Sequence, residues 1–336
     1  MSAATEQSAA AEQSAAAEQS TAAEHGLVGP AQGLRLRACE RTLVFDGRPL
    51  LMGIVNASPD SFSDGGHHAT LEQRVARARE LLAAGADIVD VGGESATTGR
   101  APVPAEQEIE RVVPLIEGIA AEIGKDGSAL ISVDTYKPAV ARAALAAGAR
   151  IVNDVSGLRD PELAEVCAQS GAALVLMHTA APPRVRRQQP DLYRDVVVEV
   201  REFLRERLAL ALAAGVEREQ IILDPGPDFA KTPAQTIELL AGMRQLHELG
   251  RPLLLAISRK DFIGALTSRP PGERLAGTLA ALAHGVQAGA QIFRVHDLAA
   301  AADFLKVRSA LTGELRPERT LALAEELRHE SRRGVV

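Results

Sequence analysis

Cysteine is scarce in this chain. Cys39 and Cys167 are the two present among 336 residues, and their separation matches no metal-ligand spacing, so they read as core thiols of a reducing compartment. Long apolar runs are missing as well: none approaches the ~20 residues that a membrane span requires. The first residues lack the basic and apolar regions of a secretory signal, which makes a cytoplasmic location the expectation. Basic runs are equally short. The balance is 37 basic against 44 acidic residues, a net charge of -7, and the densest cationic stretch, Arg184 to Arg187, has no aromatic neighbours. A nucleic-acid groove is therefore excluded, and that stretch reads as a solvated or anion-facing loop. What remains is a chain that is 46% hydrophobic and 24% charged, enough for one large globular domain or two small ones with a sizeable core.

Residues 2–25 repeat SAATEQ-like blocks without a large apolar side chain to dock, so residues 1–33 are expected to form a disordered or nascent-helical tail. Residues 34–49 alternate apolar and polar on either side of a turn near Glu40, the pattern of a β-hairpin. Short Val/Ile/Leu runs follow at 51–55, 87–91, 129–133, 151–152, 173–177, 221–223, 253–257 and 292–295, separated by Ala-rich segments with three- and four-residue apolar spacing. Several of those segments stop at Ala-Gly-Ala, at Gly85, Gly148 and Gly289, where glycine takes a left-handed cap. Eight strand-helix units in series predict a (β/α)8 TIM barrel over 34–315, with an N-terminal β-hairpin and a C-terminal extension over 316–336; a doubly wound open sheet is the alternative.

In such a barrel the strand ends carry the chemistry. Leu50 to Gly66 shows this first, an apolar run that breaks at Asn56 into a loop of Ser, Asp, Pro and Gly around Phe62. The later strands end on Asp90 and Glu94, Asp134, Asn153 and Asp154, His178, Asp224, the run Ser258-Arg259-Lys260, and Arg294, His296 and Asp297. Asp154, Asp160 and Asp297 read as helix N-caps. Asp134 and Asp224 instead lie within the strand-end sequences ISVDT and IILDPG, where an unpaired carboxylate is costly. Two carboxylates, an Asn and a Lys suit a nitrogen-rich heterocycle, whose amino-pyrimidine edge can give a carboxylate two parallel hydrogen bonds. Arg294, His296 and Arg259 form a cationic set for an anion, in keeping with the phosphate sites found after strands 7 and 8 of such barrels.

The motifs GIVNASPDSFSDGG, GADIVDVGGES, ISVDT, IVNDVSG, LDPGPDFAKT, ISRKDFIG and FRVHD occur in the order and spacing of dihydropteroate synthase, and the chain resembles that family from about Arg41 to Leu311. The resemblance implies a pterin-binding barrel, homodimeric and cytoplasmic. It implies a transferase of folate biosynthesis that joins 6-hydroxymethyl-7,8-dihydropterin diphosphate to 4-aminobenzoate, assisted by Mg²⁺ and releasing pyrophosphate. It further implies that Asp134, Asn153, Asp224 and Lys260 bind the pterin, that Met177 and Phe229 line it, and that Arg294 stacks on it. Asn56 is implied as the metal and diphosphate ligand, His296 and Arg294 as further diphosphate contacts, and Lys260, Arg294 and Asp134 as the catalytic set. Phe62, Ala96, Thr98 and Lys260 fall in the implied aminobenzoate pocket.

The departures from the family pattern cluster on the second-substrate side. Glu94-Ser95-Ala96-Thr97-Thr98-Gly99 stands where the family typically reads Glu-Ser-Thr-Arg-Pro-Gly, and Arg100 either replaces the missing Arg at the diphosphate or is a surface residue. Gly226-Pro227-Asp228-Phe229 puts a charge beside the implied pterin pocket, Thr236 stands about where the family often has Asn, and the Arg184–Arg187 run has no obvious counterpart. A synthase with a remodelled aminobenzoate loop is the primary reading. The alternative is a non-condensing paralogue that binds a pterin as a binding or regulatory protein; a barrel enzyme using another nucleophile comes third. Weak sulfonamide inhibition is the expected corollary. The Ala-rich seventh and eighth helices are a dimer face or a barrel-packing surface.

Overall fold

The computed structural model describes residues 33–58, 70–94, 101–124, 127 and 129–328. The expected disordered tail, apart from Gly33, lies outside these residues. Arg35–Ala38 (β1) and Arg41–Val44 (β2) pair antiparallel, as the alternation around Glu40 predicts. Eight parallel strands follow: Leu50–Asn56 (β3), Ile88–Gly92 (β4), Leu130–Asp134 (β5), Ile151–Asp154 (β6), Ala173–Met177 (β7), Ile221–Asp224 (β8), Leu254–Leu255 (β9) and Ile292–Val295 (β10). Their order is β8-β7-β6-β5-β4-β3-β10-β9, and a parallel bridge from Leu223 to Leu253 joins β8 to β9, so the sheet closes on itself. The open-sheet alternative is thereby set aside. Between the strands run Leu71–Ala83 (α1), Ala105–Ile123 (α2), Pro138–Ala147 (α3), Glu162–Ser170 (α4), Val196–Ala213 (α5), Pro233–Gly242 (α6), Asp261–Thr267 (α7) and Leu275–Gln287 (α8), with Leu298–Leu311 (α9) after the last strand.

Helix starts follow their sequence signals. Thr70 with Gln73 and Thr232 with Gln235 form capping boxes, and Asp195 accepts from the N–H groups of Val197 and Val198. Gly85, Gly148 and Gly289 have φ of +92°, +125° and +92°, the positive values expected at those stops.

Period-two alternation sorts every strand into two faces. Outward residues such as Leu51, Val89, Ile131, Val152, Leu174, Leu223 and Phe293 pack with Leu81, Val112, Leu115, Val200 and Leu298 of the surrounding helices. Inward residues change character along the barrel axis. Met52, Ile88, Leu130, Ile151, Ala173, Ile222, Leu254 and Ile292 form an apolar layer at the N-terminal end, where Leu36, Ala38 and Phe45 of the hairpin segment join them. Two or four residues further along, the same inward face presents Asn56, Asp90, Asp134, Asn153, Asp224, Arg294 and His296. The hairpin thus plugs the bottom with carbon, and the polar layer is confined to the opposite mouth.

The seventh barrel strand is shorter than the run 253–257 suggests: its ladder covers Leu254–Leu255 alone. Beyond it the Ser258 hydroxyl takes over the role of a strand carbonyl and accepts the His296 N–H at 3.2 Å. Between Thr312 and Arg328 the described residues carry a single 3-10 turn, Glu325–Leu327, and Leu321 and Leu323 are exposed. No helix of the described residues is long and apolar enough to cross a membrane.

Candidate active site

The strand ends enclose a cavity of about 440 Å³, and Asn56, Asp134, Asn153, Met177, Asp224, Phe229, Lys260, Arg294 and His296 all line it. Strand register explains the convergence: Gly92, Asp134 and Asn153 are successive partners across β4, β5 and β6, so the side chains of Asp134 and Asn153 share one level, beside the bare Gly92. Phe62, Ala96, Thr98 and Arg100 lie outside the described residues.

Arg294 organises the floor. Its Nε donates to Asp90 Oδ2 at 2.7 Å and its Nη2 to Asp134 Oδ2 at 3.0 Å, while Asn153 Nδ2 donates to Asp90 Oδ2 at 3.2 Å. Asp90 is fully buried, and its Oδ1, like Ser132 Oγ, has no protein partner. Burial disfavours the Arg294 charge, yet Asp90 and Asp134 outweigh it and raise its pKa. Burial also pushes the Asp134 carboxyl up to about 7; Arg294 opposes the rise, and Asp90, Glu108 and Asp154 add to it. Asp224 rises to about 6 for the same reason, opposed by the Gly226 N–H that donates to its Oδ1 at 2.7 Å and by Lys260, Lys231 and Arg294. Lys260 Nζ sits 4.3 Å from the Phe229 ring centroid, a cation–π contact, and burial lowers its pKa against the pull of Asp228 and Asp224.

The expected cationic set is different in the folded protein. Burial, with Arg294 and Arg259 adding repulsion, depresses His296 to about 4, so its ring is neutral at pH 7. Arg259 is held by both carboxylate oxygens of Asp297, at 3.0 and 2.6 Å. Asp297 is the N-cap residue of α9 as read, but its side chain makes no cap bond because Arg259 takes it. Asp154 does not cap a helix: it accepts from the N–H groups of Ser156 and Leu158 in the loop before α4. Asp160 does serve that helix start, accepting the Glu162 N–H at 3.1 Å.

Three groups were not legible as site residues. Lys231 is fully buried, its ammonium donating to Gly226 O at 2.9 Å and Phe229 O at 3.0 Å and lying 2.8 Å from His178 Nδ1. Burial lowers Lys231 to about 7 and His178 well below its usual value. Three bonds from one buried ammonium pin the loop that carries Phe229; the only sequence hint is a Lys between a strand-end loop and a capping Thr. Asp228 lines the cavity, the charge beside the pocket that was expected, and its carboxylate also clasps two elements. Its Oδ1 accepts from Thr236 Oγ1 at 3.1 Å and its Oδ2 from the Asp261 N–H, which directly follows Lys260.

The third group lies under the β4 loop. Lys137 Nζ bridges Glu94 and Glu108 and donates to Val103 O at 2.7 Å, and Tyr136 Oη donates to Glu94 at 3.3 Å. Arg184 completes the cluster, pairing with Glu94 and donating to Ala101 O at 2.8 Å. The segment between β7 and α5 is thereby drawn across to the β4 side, and residues 182–188 line the cavity. Arg184 is accordingly an ion-pair anchor, while Arg186 and Arg187 remain exposed.

The sequence profile of the pterin binding enzyme family matches residues 52–296. The dihydropteroate synthase of Escherichia coli (strain K12) is 41% identical over 262 residues, spanning 78% of this chain and 91% of that protein. The Xanthomonas albilineans dihydropteroate synthase solved with 4-aminobenzoic acid superposes with a TM-score of 0.75 at 44% identity, covering 83% of this chain and 98% of that one. The same enzyme in complex with 7,8-dihydropteroate gives 0.73 at 45% identity with the same coverage.

Proposed function

We infer the reaction from one premise: the chain belongs to the pterin binding enzymes, and within them to the dihydropteroate synthases. It is a transferase of folate biosynthesis that condenses 6-hydroxymethyl-7,8-dihydropterin diphosphate with 4-aminobenzoate, yielding 7,8-dihydropteroate and pyrophosphate. The observation that carries this assignment to the site is the polar floor, where Arg294 is fixed between two carboxylates with Asn153, Asp224 and Lys260 around the same cavity. The curated relatives and the solved structures that the chain resembles are synthases, which favours condensation over the non-condensing alternative.

On our reading, ionised Asp224 accepts two N–H groups from the amino-pyrimidine edge, with Asp134, Asn153 and Lys260 meeting the other polar atoms of the ring. Met177 and Phe229 cover its apolar surface. Arg294, held in one plane by Asp90 and Asp134, stacks on the ring and faces the diphosphate, a task for a planar guanidinium rather than an ammonium. Asn56 and His296 take the diphosphate at the β3 and β10 rim, and the long side chain of Arg100 reaches the same group. Phe62, Ala96 and Thr98 join Lys260 around the aminobenzoate.

Among the described residues no group of three or more His, Cys, Asp or Glu could hold a metal. Mg²⁺ keeps several waters and takes ligands chiefly from substrate phosphates, and the Asn56 carboxamide oxygen, on the cavity lining, is the protein donor we assign to it. When bound, the ion neutralises the leaving group. Lys260 and Arg294 act by position and charge as the pterin methylene becomes cationic, and exclusion of water preserves that cation for the aniline nitrogen. We place the enzyme in the cytoplasm, and we propose a homodimer through α8 and α9, where Leu275, Val307 and Leu311 are exposed.

The test is direct. Purified protein, Mg²⁺ and dihydropterin diphosphate are incubated with and without 4-aminobenzoate, and dihydropteroate and pyrophosphate are followed. Both products should appear only in the complete mixture; ligand binding without product sinks the reading.

A further inference from the structure

Lys260 stands at a junction that its own helix does not secure. It is the N-cap residue of α7, a Lys has no acceptor with which to cap, and its ammonium lies over the Phe229 ring. The first N–H groups of a helix find no acceptor within it. The peptide that leaves Lys260 is nevertheless held at both of its polar atoms. Arg274 Nη1 donates to the Lys260 carbonyl at 3.1 Å, and the Asp261 N–H donates to Asp228 Oδ2. Fixing that peptide plane fixes the backbone from which the Lys260 side chain departs.

Asp228 reaches the Asp261 N–H from a loop that is itself pinned. Lys231 donates to Gly226 O and Phe229 O, and Tyr193 Oη donates to Ala230 O at 3.0 Å. On the α6 side the Asp228 N–H donates to Thr236 Oγ1 at 3.1 Å, and that hydroxyl donates in turn to Asp228 Oδ1 at 3.1 Å; Thr236 is fully buried. Asp228 has a φ of +66°, a left-handed conformation that is costly for a residue with a Cβ and that glycine takes freely. The turn alone would be met better by glycine, so what the side chain contributes lies in its bonds to α6 and α7.

We propose that Asp228 is a positioning residue for the pterin site: by gripping the Lys260–Asp261 peptide it aims the Lys260 ammonium at the bound ring. This rests on the synthase reading, which places a pterin beside Lys260. Both carboxylate oxygens are engaged by protein donors, so Asp228 acts through Lys260 rather than on the ligand.

The experiment is a double-mutant cycle on the wild-type protein, D228G, K260A and D228G/K260A, with D228N as the conservative variant. Affinity for dihydropterin diphosphate in the presence of Mg²⁺ is read by titration calorimetry. Glycine suits the backbone at this position, so D228G should fold, and a thermal melt checks this. D228G should weaken pterin binding about tenfold, the scale of one charge-assisted hydrogen bond, while the same change in the K260A background should move it by less than about twofold. D228N keeps an acceptor for the Asp261 N–H and a donor for Thr236, and should recover most of the loss. Equal losses in the two backgrounds overturn the proposal and give Asp228 a direct contact with the ligand. An unchanged affinity in D228G, or a D228N protein no better than D228G, overturns it as well. Dihydropteroate formation is followed in parallel: none from the wild-type protein overturns the synthase reading, while the binding cycle still decides the role of Asp228. A wild-type protein that does not bind the pterin diphosphate overturns both.

Discussion

Replacing Lys137 by Met should be among the more damaging single changes available at the mouth of this barrel. The ammonium bridges two carboxylates whose side chains are 8% and 1% exposed, Glu94 and Glu108. Burial works against the Lys137 charge, but its bonds to Glu108 and Glu94 more than offset that and raise its pKa. Without it, Glu94 keeps Arg184 and Tyr136, whereas Glu108 is left as a buried carboxylate whose Oε1 already lacks a partner. Gly93 offers no relief: even a Cβ there would sit 2.7 Å from Glu108 Cγ, so the pocket is closed on that side. Removing one partner of a buried pair costs about 3–5 kcal/mol. At about 2–4 °C per kcal/mol for a large domain, Tm should fall by roughly 6–20 °C. Scanning calorimetry on Lys137→Met and on the double variant Lys137→Met/Glu108→Leu checks both parts, because the double variant removes the stranded charge and should recover most of the loss. A single-variant shift below about 2 °C, or a double variant no better than the single, refutes the reasoning.

Three other outcomes follow from the same geometry. Pterin affinity should fall about tenfold per pH unit below about pH 6, where Asp224 takes up a proton and ceases to accept two N–H groups; Asp224→Asn should bind weakly with that dependence flattened, as titration calorimetry across pH would record. Asp134 has a folded pKa raised to about 7 against an ordinary 3.8, so its stabilising protonation is complete below the unfolded value and is lost as pH rises through about 7. The Tm of Asp134→Asn relative to wild type should therefore move in the variant's favour from about pH 5 to about pH 8; no such drift contradicts the assignment. Phe45→Ala, which empties the hairpin side of the apolar plug, should cost about 3–5 kcal/mol in stability while KM for both substrates stays near wild type.

Legibility in the sequence tracked local information. Strand runs, Ala-Gly-Ala stops and capping residues act within a few positions, and the eight-strand barrel followed from them. The inward polar layer was also readable, because period-two alternation and a strand end suffice to place Asp134, Asn153, Asp224 and Arg294 together. Pairings across the mouth were not. Glu108 is one of three glutamates early in α2 and looks like a solvated face residue until Lys137, on another loop, is brought to it. The charge of Asp228 beside the cavity was legible, but nothing local reveals that Thr236 and the Asp261 N–H will meet it. His296 read as a cation because a sequence carries no burial. Arg184 read as part of a surface run, and only folding separates it from Arg186 and Arg187 by giving it Glu94.

The hairpin gives the molecule a front and a back. With Leu36, Ala38 and Phe45 sealing one end of the barrel, all substrate traffic belongs to the other. Arg35 itself, where the first strand begins, stands at the sealed end, so a carrier or solid support joined directly to that strand would hold the enzyme with its opening toward solution. Orientation, usually a matter of chance when an enzyme is immobilised, is here built into where the first strand begins.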